Sequence, residues 1–240
     1  MPLTLRLIVA IAAIVVSTTG AHAQMLAPDM AMGNLHNELL QRRLEDEAAG
    51  GAAKTTRDRP VKSAIKTQDL TFTPSKDVRR RISQEFIARA GQISPGAAAD
   101  IRAMFASQPD FTGSAGQIMR SHGLDPHNMA DAYALWWINV WSAANAYYDT
   151  PPSTTINAVK QQARSAFLAV PEFGTMSDTQ KQEFTEVHII QGVILDAAMQ
   201  NARGDATKEK LVAKNARNIA KSSGLNLAGM TLTQRGFVRH

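Results

Sequence analysis

Within six residues the chain carries Glu183, Glu186 and His188, a set able to move protons, because paired carboxylates beside an imidazole transfer them near neutral pH. On a helix Glu183 and Glu186 stand three apart and share a face, whereas His188, two residues after Glu186, turns toward Phe184, Val187, Gly192 and Leu195 on the apolar side. The spacing therefore predicts a core or boundary histidine with a hydrogen-bond partner rather than a third member of an acid–base set. A glycosidase would need its two carboxyl groups roughly 5 to 10 Å apart across a cleft, and nothing in the spacing sets that distance. No residue is assigned as catalytic; Glu183, Glu186 and His188 are the candidates if the chain is a hydrolase.

A second cluster, His122, Asp125, His127 and Asp131, offers the imidazole and carboxylate ligands that zinc uses when thiols are absent. Its spacing points elsewhere. Asp125 reads as a helix N-cap with Pro126 as the first helical residue, and His127 and Asp131, four apart, pair as easily as they chelate. A capped, solvated helix start is expected here, with no metal and no cofactor.

Six aromatic residues, Tyr133, Trp136, Trp137, Trp141, Tyr147 and Tyr148, fall on one helical stretch. Flat side chains with polar tips suit a sugar- or peptide-binding platform, but core packing accounts for most of the group. Trp137, Trp141 and Tyr148, on the side that widens the stripe, are the members expected to be exposed and to bind ligand. Further on, Lys210, Lys214, Arg217 and Lys221 fall at i, i+4, i+7 and i+11 and line one helix face, opposite Val212, Ala216 and Ile219. That row could meet an anionic membrane surface or lipopolysaccharide, although a row of charges is ordinarily the solvated face of its helix.

The elements that must position these residues begin after a leader. Arg6 precedes an unbroken apolar run from Leu7 to Val16, and Ala21-His22-Ala23 places small residues at alternate positions, so 1–23 reads as a signal peptide cleaved before Gln24. Ten apolar residues are half of the roughly 20 that span a bilayer, which favours a leader over an anchor. The expected product is exported, periplasmic or secreted. With no cysteine, it has no disulfide framework, no thiol catalysis and no Cys-ligated zinc, so an apolar core must hold it together.

Residues 24–71 lack a sustained core pattern and are expected to be a mobile segment. One short helix is expected in it over 33–49, carrying Leu35, Leu39, Leu40 and Leu44. Residues 72–240 then show recurrent helix starts and no alternating β-branched run, which predicts an all-α bundle of about six to seven helices. Thr73-Pro74 opens the first, running to about Ala90, and Ser94-Pro95 the second, which Pro109 ends. A shorter one runs over 115–122, and a helix of some six turns runs from Asp125-Pro126 to Pro151. The next spans 155–170, Ser177 with Gln180 forms a capping box for a long helix reaching Ala202, and Asp205 starts the last, stopped at Gly224. The chain's net charge of +5 is local: residues 204–240 hold seven Lys or Arg against two Asp or Glu. Local basicity on an exported chain argues against nucleic acid as a partner.

Phrases across 70–240 resemble an uncharacterised family of exported bacterial proteins of unknown function. They are Leu70-Thr71-Phe72-Thr73-Pro74-Ser75, the run from Gly123 to Tyr133, the stretch Trp137 to Trp141, Lys181-Gln182 with Glu186, and Leu232 to Phe237. The resemblance implies export and a mainly helical domain, and supplies no activity and no catalytic residue. No Gly-rich phosphate loop, no Gly-x-Ser-x-Gly elbow and no solenoid repeat is present. The leading reading is a non-catalytic exported envelope protein, a binding or interaction module meeting an envelope protein or glycan. The alternatives are a small hydrolase acting on envelope glycan or peptide, and a peripheral binder of anionic membrane through the basic last helix.

Overall fold

A computed structural model describes residues 69–108 and 110–239. The leader expected at 1–23 and nearly all of the segment expected at 24–71, with its short helix, lie outside the described residues. Among those described, seven α-helices and one small hairpin form the fold, so the all-α expectation holds for the body of the domain.

Helix α1 (Lys76–Ile93) is capped by Ser75, two residues beyond the expected Thr73. The reason is tertiary: the Thr73 N–H donates to Asp178 and the Ser75 N–H to Gln182, so the chain reaches the helix still extended. Ser94 caps α2 (Pro95–Ser107), with Pro95 in the first turn where a missing N–H costs nothing. Asp110 accepts from the Gly113 N–H and starts α3 (Phe111–Ser121), four residues ahead of the expected Ala115.

Helix α4 (Met129–Ala144) corrects the sequence reading most. Its cap is Asn128, which accepts from the Ala130 and Asp131 N–H groups, while Asp125 closes a turn by accepting from the His127 N–H. Asp125-Pro126 has the right local chemistry, but Thr71 and Asn128 form an antiparallel bridge, with Phe72 N–H donating to His127 O and Met129 N–H to Leu70 O. That pairing holds Asn128 extended, after a turn closed by its N–H on the Asp125 carbonyl, and delays the helix. It also ends early, after 16 residues, where Ala146 takes a positive φ of 51°.

Helix α5 (Ser153–Leu168) precedes a 3₁₀ turn at Pro171–Thr175. Helix α6 (Asp178–Ala202) starts with the Ser177–Gln180 capping box, and α7 (Ala206–Ser222) with Asp205 as its cap; Gly224, at φ 77°, follows the last turn. The hairpin of β1 (Met230–Thr233) and β2 (Gly236–Arg239) was not expected, and it pairs Thr231 with Val238 and Leu232 with Phe237.

Helix α4 lies at the centre, packed on α6, α5 and α7, while α1 and α3 lean on α6. Its apolar residues run nearly all round because it has neighbours nearly all round. Tyr133, Trp136 and Trp137 are sealed in a core with Phe167, Phe173 and Phe237.

Candidate functional site

The two glutamates do not form an open acid–base pair. Glu186 is 1% exposed, and its carboxylate accepts from Arg79 Nε at 3.1 Å, from Gln182 Nε2 at 2.9 Å and from the Thr112 hydroxyl at 3.5 Å. Burial raises its pKa above the usual carboxylate range, and the Arg79 charge and these hydrogen bonds offset part of that. Glu183 pairs with Arg81 at the surface. His188 sits in the core between Tyr133, Trp136 and Phe184, with Nδ1 2.7 Å from the Phe184 carbonyl, which fixes that nitrogen as the N–H donor of the neutral ring. Burial pulls its pKa down to about 4. Neither this neutral histidine, walled by aromatic rings, nor this carboxylate, held in an ion pair, is in reach of a substrate.

The second cluster is dispersed in the same way. Asp131 is buried and accepts from the Asp125 N–H at 2.7 Å and from Lys160 Nζ at 3.0 Å. His127 meets the Phe72 ring edge-on, and His122 faces a different part of the molecule. No group of three or more His, Asp or Glu among the described residues is placed to hold a metal ion.

Of the three aromatic residues expected to be exposed, the structure buries Trp137 and leaves Trp141 and Tyr148 partly exposed. Trp137 is 0% exposed and stacks on Phe237 at 4.2 Å, because the hairpin that the sequence did not announce covers that side of α4. Trp141 is half-buried under the same hairpin and donates Nε1–H to the Met230 carbonyl at 3.0 Å. Tyr148 alone of the three faces an open space. Its hydroxyl donates to Glu209 at 2.7 Å, Arg203 stands over its ring, and burial together with that carboxylate pushes its pKa up to about 12.

The basic row is at the surface as a row. Lys210, Lys214, Arg217 and Lys221 are all exposed, but they differ in role: Arg217 donates to the Ala144 carbonyl at the end of α4, at 2.7 Å. There it satisfies an orphan carbonyl and places a cation at the negative end of the helix dipole. Lys210, Lys214 and Lys221 make no salt bridge among the described residues.

The open space facing Tyr148 is a half-open cleft of about 860 Å³. Three helix faces converge on it, each presenting residues at i, i+3, i+4 and i+7 spacing: Ala115, Ile118, Met119 and His122 along α3 and its cap; Leu135, Ile138, Asn139 and Ser142 from α4; Asp196, Met199, Gln200 and Arg203 along α6 and its cap, with Val193 one turn earlier. The loop from Tyr147 to Pro151 closes one side. Most of the lining is apolar, and Ile118, Leu135 and Val193 keep solvent contact that core residues of their type do not. Among the ionisable groups that line it is Asp196, whose carboxyl burial raises above its ordinary range, with a hydrogen bond to Gln200 opposing the effect. The sequence reading missed the cleft, although a stripe from Val193 through Asp196 and Gln200 to Arg203 is visible in retrospect.

Fold and cleft together define the class, an all-helical domain with an apolar cavity between three of its helices. The chain belongs to a family described as a family of unknown function (DUF6683), whose family model matches residues 4–237. That match extends well ahead of residue 70, where the resemblance in the sequence began. Neither a curated protein nor a solved structure matches the chain.

Proposed function

We propose that the protein is a non-catalytic binding module of the cell envelope, exported on its leader, and that the α3–α4–α6 cleft takes a small ligand with a substantial apolar body. The observation that carries this reading is the cleft itself. Its volume of about 860 Å³ lies within the roughly 300–1,000 Å³ of small-molecule sites, and its apolar lining carries a few convergent polar groups, as such sites do. Leu135 and Val193 leave apolar surface in contact with water, which a ligand would cover at about 25 cal/mol per Å². The reading as a binder also agrees with the fate of Glu186 and His188, both used up in packing.

The test is titration of the purified protein with N-phenyl-1-naphthylamine, a neutral apolar fluorophore, beside a Val193→Trp variant that fills the cleft. Saturable fluorescence enhancement that the variant abolishes, with its thermal midpoint preserved, is the expected result. Enhancement that never saturates, or that Val193→Trp leaves intact, would sink the reading.

A second reading is favoured by one observation. Between Lys210 and Lys214 the apolar Leu211 is 39% exposed, so the outer face of α7 pairs unneutralised lysines with an apolar contact, the combination that peripheral helices use on anionic membranes. This surface is separate from the cleft and compatible with it.

A further inference from the structure

We infer that the ligand of this cleft is an amphiphile whose head is a protonated amine, bound with its nitrogen on the Asp196 carboxylate and its apolar body along α3, α4 and α6. The inference rests on the cleft being a ligand site and adds the chemistry of the ligand.

Asp196 projects from α6 in the row formed with Val193 and Gln200, and the cleft wall around it includes Leu135, Ile138 and Met199. The carboxylate is only partly exposed there, and a cation inside the cleft would return what that burial removes. The chain does not supply a cation. Asp196 forms no salt bridge among the described residues, and its hydrogen bond is to the neutral Gln200. Arg203, two turns further along the same face, is the nearest candidate in sequence, but its guanidinium lies 5.1 Å from the centre of the Tyr148 ring. Tyr148 in turn is held by Glu209, and the Glu209 carboxylate also accepts from the Gly204 N–H at 2.9 Å, so the arginine is engaged at the joint between α6 and α7.

The remaining ionisable groups of the lining are Tyr147 and Asp149, on the closing loop, and His122, at the end of α3. Asp149 adds a second negative charge at the exposed side of the cleft. No cationic side chain acts on the Asp196 carboxylate, so that part of the cleft favours a cation, and the length of apolar wall favours a chain or ring system attached to it. An anionic amphiphile would set its head against Asp196, and a neutral one would cover that carboxylate while leaving it the Gln200 hydrogen bond but no countercharge.

The experiment uses displacement of N-phenyl-1-naphthylamine from the full chain, in the form the expressing cell accumulates, by three compounds with the same tail: decylamine, 1-decanol and decanoate. Decylamine should displace the fluorophore at concentrations at least about ten-fold below those of decanol, with decanoate the weakest. Asp196→Asn, which keeps the shape of the side chain, should erase the advantage of the amine and leave decanol in place, whereas Asp149→Asn should keep most of it. Decanol matching decylamine on the wild-type protein overturns the head-group assignment while the cleft stands, and needs no variant. An amine advantage that survives Asp196→Asn overturns the assignment to that residue. Absence of saturable binding by the fluorophore and all three compounds would take down the cleft reading and this one with it.

Discussion

Arg79 and Glu186 stand 107 residues apart in sequence and meet at 3.1 Å, with one oxygen of the glutamate also held by Gln182 and the other facing Thr112. The contact joins the first turn of α1 to the third turn of α6, and Arg79 extends it to the cap of α3 through Asp110 at 3.1 Å. Gln182 completes the joint by donating to the Ser75 carbonyl at 2.8 Å and accepting from the Ser75 N–H at the same distance. Three helices therefore share one polar node, and Glu186, one of the candidate acid–base residues, is bound within it.

Replacing Arg79 by Met should strand the Glu186 charge in the core. Arg79 keeps 27% of its side-chain surface in water, so the cost is discounted from that of a fully buried pair to about 2–3 kcal/mol. Adding Glu186→Gln to Arg79→Met should recover part of that loss, since the second change removes the charge the first left unpaired. Urea unfolding of both variants against the wild type checks it, and a double variant less stable than Arg79→Met alone would contradict the account.

Acid should weaken the fold through His188. Its folded pKa of about 4 lies below the ordinary 6.5, so the stabilisation is complete above about pH 6.5 and is lost as pH falls through about 4. Glu186 acts in the opposite direction, because its raised pKa gives a stabilisation that is present below its ordinary value and lost as pH rises through the folded one. Comparison with His188→Phe isolates the histidine. Between pH 7 and pH 4.5 the wild type should lose roughly 2–3 kcal/mol more than the variant in urea unfolding, and equal losses would refute the assignment.

The parts of the fold that were legible in the sequence are those decided within a few residues. Ser177 with Gln180, Ser94 before Pro95, and Asp205 with Gly224 cap their helices through bonds to adjacent backbone, so local chemistry was enough. Asp125 failed because a distant segment, Leu70 to Phe72, bridges to the chain there and holds Asn128 extended. The hairpin was hidden by its length, four residues a strand, and Trp137 could not be placed without it. The cleft was hidden for another reason: Ile118, Leu135 and Val193 are residues of core type, and only the way three helices meet leaves them facing open space.

Gly236 is expected to be irreplaceable where Gly204 is not. Both have positive φ, 87° and 85°, so an alanine at either meets the left-handed backbone cost of about 1–2 kcal/mol. At Gly204 an added Cβ meets nothing, whereas at Gly236 it runs into the Gln162 side chain. That side chain cannot withdraw cheaply, because it donates to Phe237 O and accepts from the Phe237 N–H, each at 2.8 Å. Gly236→Ala should therefore cost at least about 1 kcal/mol more than Gly204→Ala and unseat Phe237 from Trp137. Chemical unfolding and the tryptophan emission maximum report the two effects, and equal costs with unchanged emission would contradict the clamp.

The basic row on α7 divides into residues that hold the fold and residues free to meet a surface, and the division sets how its role should be tested. Arg217 is bonded to the end of α4, so replacing it confounds charge with the loss of a helix cap. Lys210, Lys214 and Lys221 are exposed without salt bridges, and reversing them to Glu should leave the thermal midpoint nearly unchanged. Each lysine near an anionic bilayer contributes about 1 kcal/mol, an attraction that salt screens over a Debye length of about 8 Å at physiological ionic strength. If α7 meets a membrane, the wild type should sediment with phosphatidylglycerol vesicles at low salt and come off as salt rises. The triple reversal should not sediment, and Leu211→Ser should weaken the remaining, salt-resistant part. Sedimentation that ignores both salt and the reversals, or that never occurs, would leave the row as the solvated face of its helix.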